Sequence, residues 1–449
     1  MQNINTDQIL IIGMGVTGVS ILNYLSSRCR KISIYDKNKS LDQLKEIGRN
    51  HKIENYFWND INEIPFENFD CVALSPGIKL DNNIQAKLKK NRVAIINDLY
   101  FLAKEINDNN CKLIGVTGTN GKTTTCSLLK FFLTEYGINT EAVGNIGKPV
   151  LDIFPNKNLE VLIVELSSFQ LEINNDLKFH VGVTLNISED HLDRYEKFKD
   201  YVEAKKNLHR QSIKKIINYD DPNLHDWYDK DTTSLSLLFK EDCPDYYVSK
   251  LRNKTLIQDK KDFLLDVSAM TLKGNHNVFN IMAAVAAIRL IFPKFDFTKI
   301  ALEKFNAIPH RLEWVRNIKG IDFYNDSKAT NIASSIAAVK SFPSKKIHLI
   351  VGGDSKNQSL EPLREIVGNN VLTLALIGKD AKLFQEKFSN IKNLSIKNCG
   401  AMDTAVKFVY AQAKKGQIIL LAPACASTDM YKNYMARGDD FTNNVHLLT

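Results

Sequence analysis

Gly118, Gly121, Lys122 and Thr123 are the first residues whose types and spacing could do chemistry. They stand in Gly115-Val116-Thr117-Gly118-Thr119-Asn120-Gly121-Lys122-Thr123-Thr124-Thr125, after Lys112-Leu113-Ile114, which reads as the end of a buried strand, and before a stretch with helical spacing of apolar residues. Strand, glycine loop, Lys-Thr and helix can cradle nucleotide phosphates. Backbone N–H groups turn inward, the helix start adds positive partial charge, the lysine meets the outer phosphates, and the hydroxyl meets Mg²⁺. The strict spacing would place a glycine at Val116, which Gly115 and Gly118 bracket. The plainer alternative is an ordinary strand-to-helix turn.

Two more apolar runs end in ligand-type side chains. Val161-Leu162-Ile163-Val164 delivers Glu165, and Val181-Gly182-Val183-Thr184-Leu185-Asn186 leads to Asp190-His191-Leu192-Asp193-Arg194. Mg²⁺ takes oxygen ligands and keeps waters, so one or two carboxylates with phosphates suffice. The alternatives are a capping carboxylate for Glu165 and a surface histidine for His191. Lys197, Lys199, Lys205, Lys206 and Arg210 follow on an expected helix, where the plain reading is a solvated face. Asn277 and Asn280 lie one turn apart where Gly274 opens an alanine-rich helix to about residue 291; they suit a nucleotide, or one of them a cap.

The elements that must position these residues alternate strand and helix throughout. Gln8–Ile12 runs into Gly13-Met14-Gly15-Val16-Thr17-Gly18, then a helix from about residue 19 to 25, then Lys31–Tyr35 and Asp36. That is the dinucleotide-type fingerprint, with an acid about where a ribose would lie. Cys71–Leu74 leads to the turn Ser75-Pro76-Gly77-Ile78, at the edge where such sheets hold ligands. Glu141-Ala142-Val143-Gly144-Asn145-Ile146-Gly147 reads as a second glycine-bracketed turn, and the stretch 253–266 looks strand-like. Further on, strands lead into Tyr324-Asn325-Asp326-Ser327-Lys328-Ala329-Thr330-Asn331, Gly352-Gly353-Asp354-Ser355-Lys356, Gly378-Lys379 and Ala422-Pro423-Ala424-Cys425-Ala426-Ser427-Thr428-Asp429. The rhythm predicts an α/β chain of three domains. Residues 1–98 are Rossmann-like, 99–307 are P-loop ATPase-like with a mostly parallel sheet, and 308–449 are Rossmann-like.

At 449 residues the chain exceeds one ordinary core, and 44% hydrophobic with 24% charged residues is a soluble composition. The net charge of +8, from 59 Lys+Arg against 51 Asp+Glu, is scattered, which argues against nucleic acid and mildly favours small anions. Seven cysteines without paired spacing fit free thiols in a reducing compartment. No basic leader and no apolar span of membrane length stand out, so the expectation is a cytoplasmic protein without membrane insertion.

Taken together, Gly118-Thr119-Asn120-Gly121-Lys122-Thr123, Glu165-Leu166-Ser167-Ser168-Phe169-Gln170, Asp190-His191, His276-Asn277, His310-Arg311 and Asn325-Asp326-Ser327-Lys328-Ala329-Thr330-Asn331 resemble the Mur ligases of peptidoglycan synthesis. Ser75-Pro76-Gly77, Arg194-Tyr195 and the span from Cys425-Ala426-Ser427-Thr428-Asp429 to Arg437-Gly438 are similar to the branch that adds D-glutamate. The match runs over essentially the whole chain. Asn120 argues against the L-alanine-adding branch, which usually has histidine there, and no Asp-Asn-Pro-Arg run speaks for the diaminopimelate- or lysine-adding one. The family often has Thr-Arg after the acid at Asp36, where this chain has Lys37-Asn38.

The resemblance implies an ATP-dependent acid–amino-acid ligase of cell-wall biogenesis, and hence of cell shape and division. It would join D-glutamate to UDP-N-acetylmuramoyl-L-alanine through an acyl phosphate, with two Mg²⁺, as a monomer. It implies that residues 1–98 bind the UDP-sugar, 99–307 ATP and 308–449 the amino acid. Gly118, Thr119, Asn120, Gly121, Lys122, Thr123, Thr124, Asn277, Asn280, Arg311 and Asp326 would meet ATP. Val16, Thr17, Asp36, Ser75, Pro76, Gly77, Asn145 and His191 would face the UDP-substrate, and Lys328, Thr330, Lys356, Ser427, Thr428 and Tyr434 would take D-glutamate. Thr123, Glu165, His191 and Lys205 would hold metal, Lys205 as a carbamate, and Lys122, His191, Lys205 and Arg311 would serve the chemistry. An ammonium facing two divalent cations is repelled, which favours a neutral amine able to add CO₂. Cys425 is read as packing. A nicotinamide dehydrogenase would leave the central loop idle, a non-catalytic ATPase would not need Lys328 or Lys356, and folylpolyglutamate synthetase does not account for the Gly13, Gly15 and Gly18 domain.

Overall fold

The buried apolar runs pair into three sheets in chain order. The computed structural model describes residues 6–106, 111–153, 158–173, 176–192, 194–237, 244–252, 254–260, 262–268, 270, 272, 274–305, 308–344 and 346–449. Asp193, Cys243 and the expected boundary at 307 lie outside them.

The first sheet is wholly parallel, ordered Ile53–Phe57, Lys31–Tyr35, Gln8–Ile12, Cys71–Leu74, Ala94–Ile96. Ile9, Leu10, Ile11 and Ile12 are buried, as a strand covered by helices on both faces must be. In the second sheet Thr140–Gly144, Val161–Glu165, Lys112–Thr117, Phe179–Thr184, Ser212–Asn218, Thr232–Ser236 and Tyr246–Leu251 run parallel. Lys254–Asp259 and Phe263–Asp266 close its far edge antiparallel. The third sheet is ordered Glu313–Ile318, Ile321–Asn325, Ile418–Leu421, Ile347–Gly352, Val371–Ile377, Ser395–Gly400, with only its first pair antiparallel. This is the three-domain, mostly parallel α/β architecture that the alternation predicts. The helix Asp98–Ile106 packs Leu99, Phe101 and Leu102 in one apolar cluster with Ile9 and Ile11 of the first sheet and Leu162 and Val164 of the second.

Several elements differ from expectation. The strand expected to end near Ile114 runs on to Thr117, so Gly115 lies inside the sheet. A Cβ there would stand 2.6 Å from Leu208 Cδ1 and 2.8 Å from Phe179 Cδ1, and this close approach is what the glycine serves. The first helix starts at Val16, three residues early, because Gly15 already supplies its N-terminal boundary. Thr140–Gly144 is an edge strand where a turn was expected from Glu141, leaving only 145–147 to turn. The 253–266 stretch is two strands, Lys254–Asp259 and Phe263–Asp266, with residues 253 and 261 outside the described set. Among the described residues no helix is long and apolar enough to cross a membrane.

Candidate active site

The phosphate-type loop is Gly118-Thr119-Asn120-Gly121, and the helix Lys122–Glu135 starts directly after it. Gly121 has φ 87°, in the left-handed region, and a Cβ on it would lie 2.4 Å from Asn280 Oδ1. No other residue type satisfies both demands. The neighbouring strand pins the loop: the Thr119 N–H donates to the Asn186 carbonyl at 2.8 Å and the Asn120 N–H to Asn186 Oδ1 at 2.8 Å. Thr119 Oγ1 donates to the Ser188 carbonyl at 3.1 Å and lies 2.9 Å from the Tyr201 hydroxyl. Lys122 folds back, donating to the Gly118 and Thr119 carbonyls at 2.8 and 2.9 Å. Burial lowers its pKa, against the opposing pull of Glu165 and Asp190. Thr123 and Thr124 follow on the first turn.

Glu165 arrives at the end of its strand and is 2% exposed. Asn145 donates to its Oε1 at 3.3 Å, whereas Oε2 is buried with no hydrogen-bond partner among the described residues. An orphaned carboxylate oxygen beside a phosphate loop fits a cation that also takes phosphate and water oxygens. Among the described residues no cluster of three or more His, Cys, Asp or Glu is present.

Lys205 departs from the solvated-face alternative. It is 2% exposed, and its Nζ donates to the Gly118 carbonyl at 2.9 Å and to Thr117 Oγ1 at 3.4 Å. Burial, then the charge of Lys122, push its pKa well below the usual lysine range. Its neighbour Lys206 instead faces the Trp227 ring at 5.5 Å.

The third sheet brings its carboxyl edge against this loop. Asn331 donates to Asn120 Oδ1 at 3.1 Å and accepts from Asn120 Nδ2 at 3.4 Å. It also donates to Asp190 Oδ2 at 3.3 Å and, through Oδ1, accepts the Ser334 N–H at 2.9 Å that caps the helix Ile332–Lys340. Lys356, at φ 51°, donates to Asp190 Oδ1 at 3.3 Å. Burial alone would raise the Asp190 carboxyl, but His191, Lys356, Asn331 and Lys122 hold it below the usual range. Lys328 sits 4.0 Å over the Tyr434 ring; burial, then Arg311 and Lys122, lower its pKa to about 7. Burial raises Asp326 to about 7, against the Leu312 N–H it accepts and nearby Arg311. Lys122, Glu165, Asp190, Lys205, Arg311 and Lys328 therefore share one electrostatic neighbourhood.

The remaining residues fall in three places. Asn277 and Asn280 are buried on one helix, Asn280 Nδ2 donating to Asn277 Oδ1 at 3.2 Å. Thr330 follows Lys328, while Ser427 is buried and Thr428 exposed on the loop after Ile418–Leu421. Val16, at 76% exposure, Thr17 and the turn with Ser75, Pro76 and Gly77 form a separate edge on the first sheet. Asp36 is 9% exposed, and its carboxylate is occupied by the Met14 and Asn38 N–H groups, both at 2.8 Å, so it fastens the glycine turn. Cys425 is fully buried, as packing requires.

One residue quoted only as part of a motif proves central to the scaffold. Arg437 is 1% exposed and donates to the carbonyls of Ser327, Cys425, Ala426 and Gly352 between 2.9 and 3.4 Å, and to Ser327 Oγ at 3.1 Å. It thereby ties three ligand-edge loops, with no ion-pair partner among the described residues, and burial lowers its pKa to about 10. Asn186, Asp190 and Asn331 likewise assemble the site; their short polar side chains just past strand ends are the signal in the sequence.

Residues 7–97 match the N-terminal domain of MurD-like Mur ligases, 116–288 the Mur ligase middle domain, and 310–425 the Mur ligase glutamate ligase domain. The UDP-N-acetylmuramoylalanine–D-glutamate ligase of Nitrosomonas europaea is 34% identical over 99% of this chain and 97% of its own. That of Clostridioides difficile strain 630 is 36% identical over 98% of each. The solved MurF ligase of Thermotoga maritima, in complex with ADP, aligns at TM-score 0.62 and 15% identity over 99% of both chains, a likeness of fold.

Proposed function

Because this chain belongs to the Mur ligase family, we propose that it is an ATP-dependent ligase that adds D-glutamate to UDP-N-acetylmuramoyl-L-alanine in peptidoglycan precursor synthesis, by way of an acyl phosphate. The observation that carries this beyond kinship is the meeting of Lys122, Glu165 and Lys205 of the second domain with Asp190-bound Lys356 and with Lys328 of the third.

In this reading Lys122 leaves the Gly118 and Thr119 carbonyls for the outer phosphates of ATP, which the N–H groups of the loop and helix start, from Gly118 to Thr124, also receive. Asn277, Asn280, Arg311 and Asp326 line the nucleotide. Thr123, Glu165, His191 and Lys205 would hold two Mg²⁺, Lys205 after its buried amine has added CO₂ and lost a proton to become a carbamate; the metal would supply charge neutralisation at the transferring phosphoryl group. Val16, Thr17, Asp36, Ser75, Pro76, Gly77 and Asn145 bind or shape the UDP-sugar end, so that its alanine carboxylate reaches the γ-phosphate. Lys328, Thr330, Lys356, Ser427, Thr428 and Tyr434 receive D-glutamate, whose neutral amine attacks the acyl phosphate carbonyl; the tetrahedral adduct collapses and phosphate leaves. No covalent nucleophile from the protein is needed, and positioning with charge stabilisation does the work. The domains are assigned as 1–98 for the UDP-sugar, 99–307 for ATP and 308–449 for the amino acid. One chain supplies every group, which supports a monomer, and the free thiols of Cys29, Cys71, Cys111, Cys126, Cys399 and Cys425 suit a reducing cytoplasm.

The test is phosphate release from ATP across UDP-muramoyl substrates and amino acids. ADP and phosphate are expected only with UDP-N-acetylmuramoyl-L-alanine and D-glutamate together. Equal turnover with L-glutamate, or with a substrate already carrying a tripeptide, overturns the assignment.

A further inference from the structure

The turn Ser75-Pro76-Gly77-Ile78 of the first sheet and the turn bearing His191 in the second meet through two side chains. Arg194 Nη2 donates to the Ile78 carbonyl at 3.3 Å, and Lys79 Nζ donates to the Arg194 carbonyl at 2.6 Å, a reciprocal bridge between domains. The Glu172 carboxylate takes the guanidinium in a fork, at 2.9 Å to Nη2 and 3.4 Å to Nε. The face of the guanidinium lies 4.1 Å from the centroid of the Phe169 ring. Phe169 in turn meets the His191 imidazole edge-on at 4.8 Å and stacks on Tyr195 at 6.2 Å.

His191 needs such support. It holds φ 56°, and its carbonyl accepts the N–H groups of Arg194 and Tyr195, which fixes the backbone. A non-glycine residue in that region carries backbone strain that its surroundings must sustain. The imidazole side chain is 34% exposed, with Nε2 3.7 Å from Asp190 Oδ2 and the Phe169 ring against it, whereas the Arg194 side chain at 12% is largely enclosed. A planar guanidinium can stack on a ring while forking to a carboxylate; an ammonium on the same stem cannot do both.

We propose that Arg194 is a positioning residue: it clamps Phe169, Phe169 sets the His191 imidazole, and the bond to Ile78 couples that setting to the first-sheet turn. A ligand seated against residues 75–77 then moves the His191 ring. The proposal rests on the function above, in which that turn receives the UDP-substrate and His191 serves the reacting end.

The experiment is NMR of the histidine ring signals in the full chain without metal or ATP, using UDP-N-acetylmuramoyl-L-alanine as the probe, with calorimetry to measure its binding separately. Phe169→Leu is expected to shift the His191 signals in the ligand-free protein, while Phe169→Tyr keeps them. The probe is expected to move those signals in the unmutated protein and to leave them unmoved in Arg194→Ala and Arg194→Lys. Kinetically, Arg194→Lys should lose roughly tenfold in kcat with the KM for ATP unchanged. If Arg194→Ala does not fold, Arg194→Lys carries the same comparison. A His191 response to bound probe that persists in Arg194→Lys overturns the coupling, and unchanged signals in Phe169→Leu overturn the positioning. Failure of the unmutated protein to bind the probe would instead strike at the proposed function, because the ligand-free Phe169→Leu comparison does not depend on it.

Discussion

Lys328 shows how a residue's surroundings set what it can do. Burial, with Arg311 and Lys122 close by, brings its pKa down to about 7, so in the ligand-free protein it loses its charge as pH rises through neutrality. A carboxylate ligand requires the charged form. The KM for D-glutamate should therefore be lowest below pH 7 and rise about tenfold per unit well above it; Lys328→Arg should flatten that rise, and steady-state kinetics between pH 6 and pH 9 decide it. Lys122→Ala should lower kcat by on the order of 10²–10³ while binding of the UDP-substrate, read by calorimetry, stays unchanged. Lys122, Glu165 and the loop glycines were legible because their spacing marks a glycine turn into a helix start and a carboxylate after an apolar run. Lys205 was not separable from Lys197, Lys199 and Lys206 by pattern, since only the approach of Gly118 and Thr117 from another element buries it. Arg437 was hidden for a similar reason: most of its partners are backbone carbonyls, which no side-chain pattern records.

At the scale of elements, glycine has opposite roles in two places, and the same substitution should show it. Gly115→Ala forces a methyl group against Leu208 and the fully buried Phe179, and should cost about 1–3 kcal/mol in urea unfolding. Gly368, inside the helix Glu361–Asn370, would meet only Ile391 Cγ2 at 3.7 Å, so Gly368→Ala should stabilise by about 0.5–1 kcal/mol. Equal effects from the two would show that sheet and helix do not pack around these sites as described. The buried parallel strands were readable as continuous apolar runs. Tyr246–Leu251 was not, because a half-exposed strand near the far end of its sheet carries polar residues on one face and holds its place through pairing. The end of Lys112–Thr117 was misjudged because a glycine that admits a neighbouring side chain looks, in sequence, like a glycine that turns the chain.

Across the whole molecule, the second and third domains are held together by short polar side chains: the reciprocal amides of Asn120 and Asn331, and Asp190 between Asn331 and Lys356. Each such contact contributes about 1 kcal/mol, so removing two shifts a closed-to-open ratio by tenfold or more. Asn120→Ala combined with Lys356→Ala should enlarge the radius of gyration in small-angle scattering, and ATP with UDP-substrate should restore it in part. A radius indifferent to both changes would mean that other contacts hold the domains together.

The strand order of the third sheet reaches back to how the chain is made. Ile418–Leu421 lies between Ile321–Asn325 and Ile347–Gly352, so two strands synthesised early stay unjoined until a late one arrives to separate and bridge them. The first two sheets close from strands already released by then, whereas the third remains an open edge through most of its own translation. During that interval the nascent chain exposes Phe323, Leu349 and Val351, all fully buried once the sheet is complete. Ribosome stalling within the last third of the message would therefore release a sticky intermediate that falls to chaperones and proteases, whereas a stall just before it would leave the first two sheets complete.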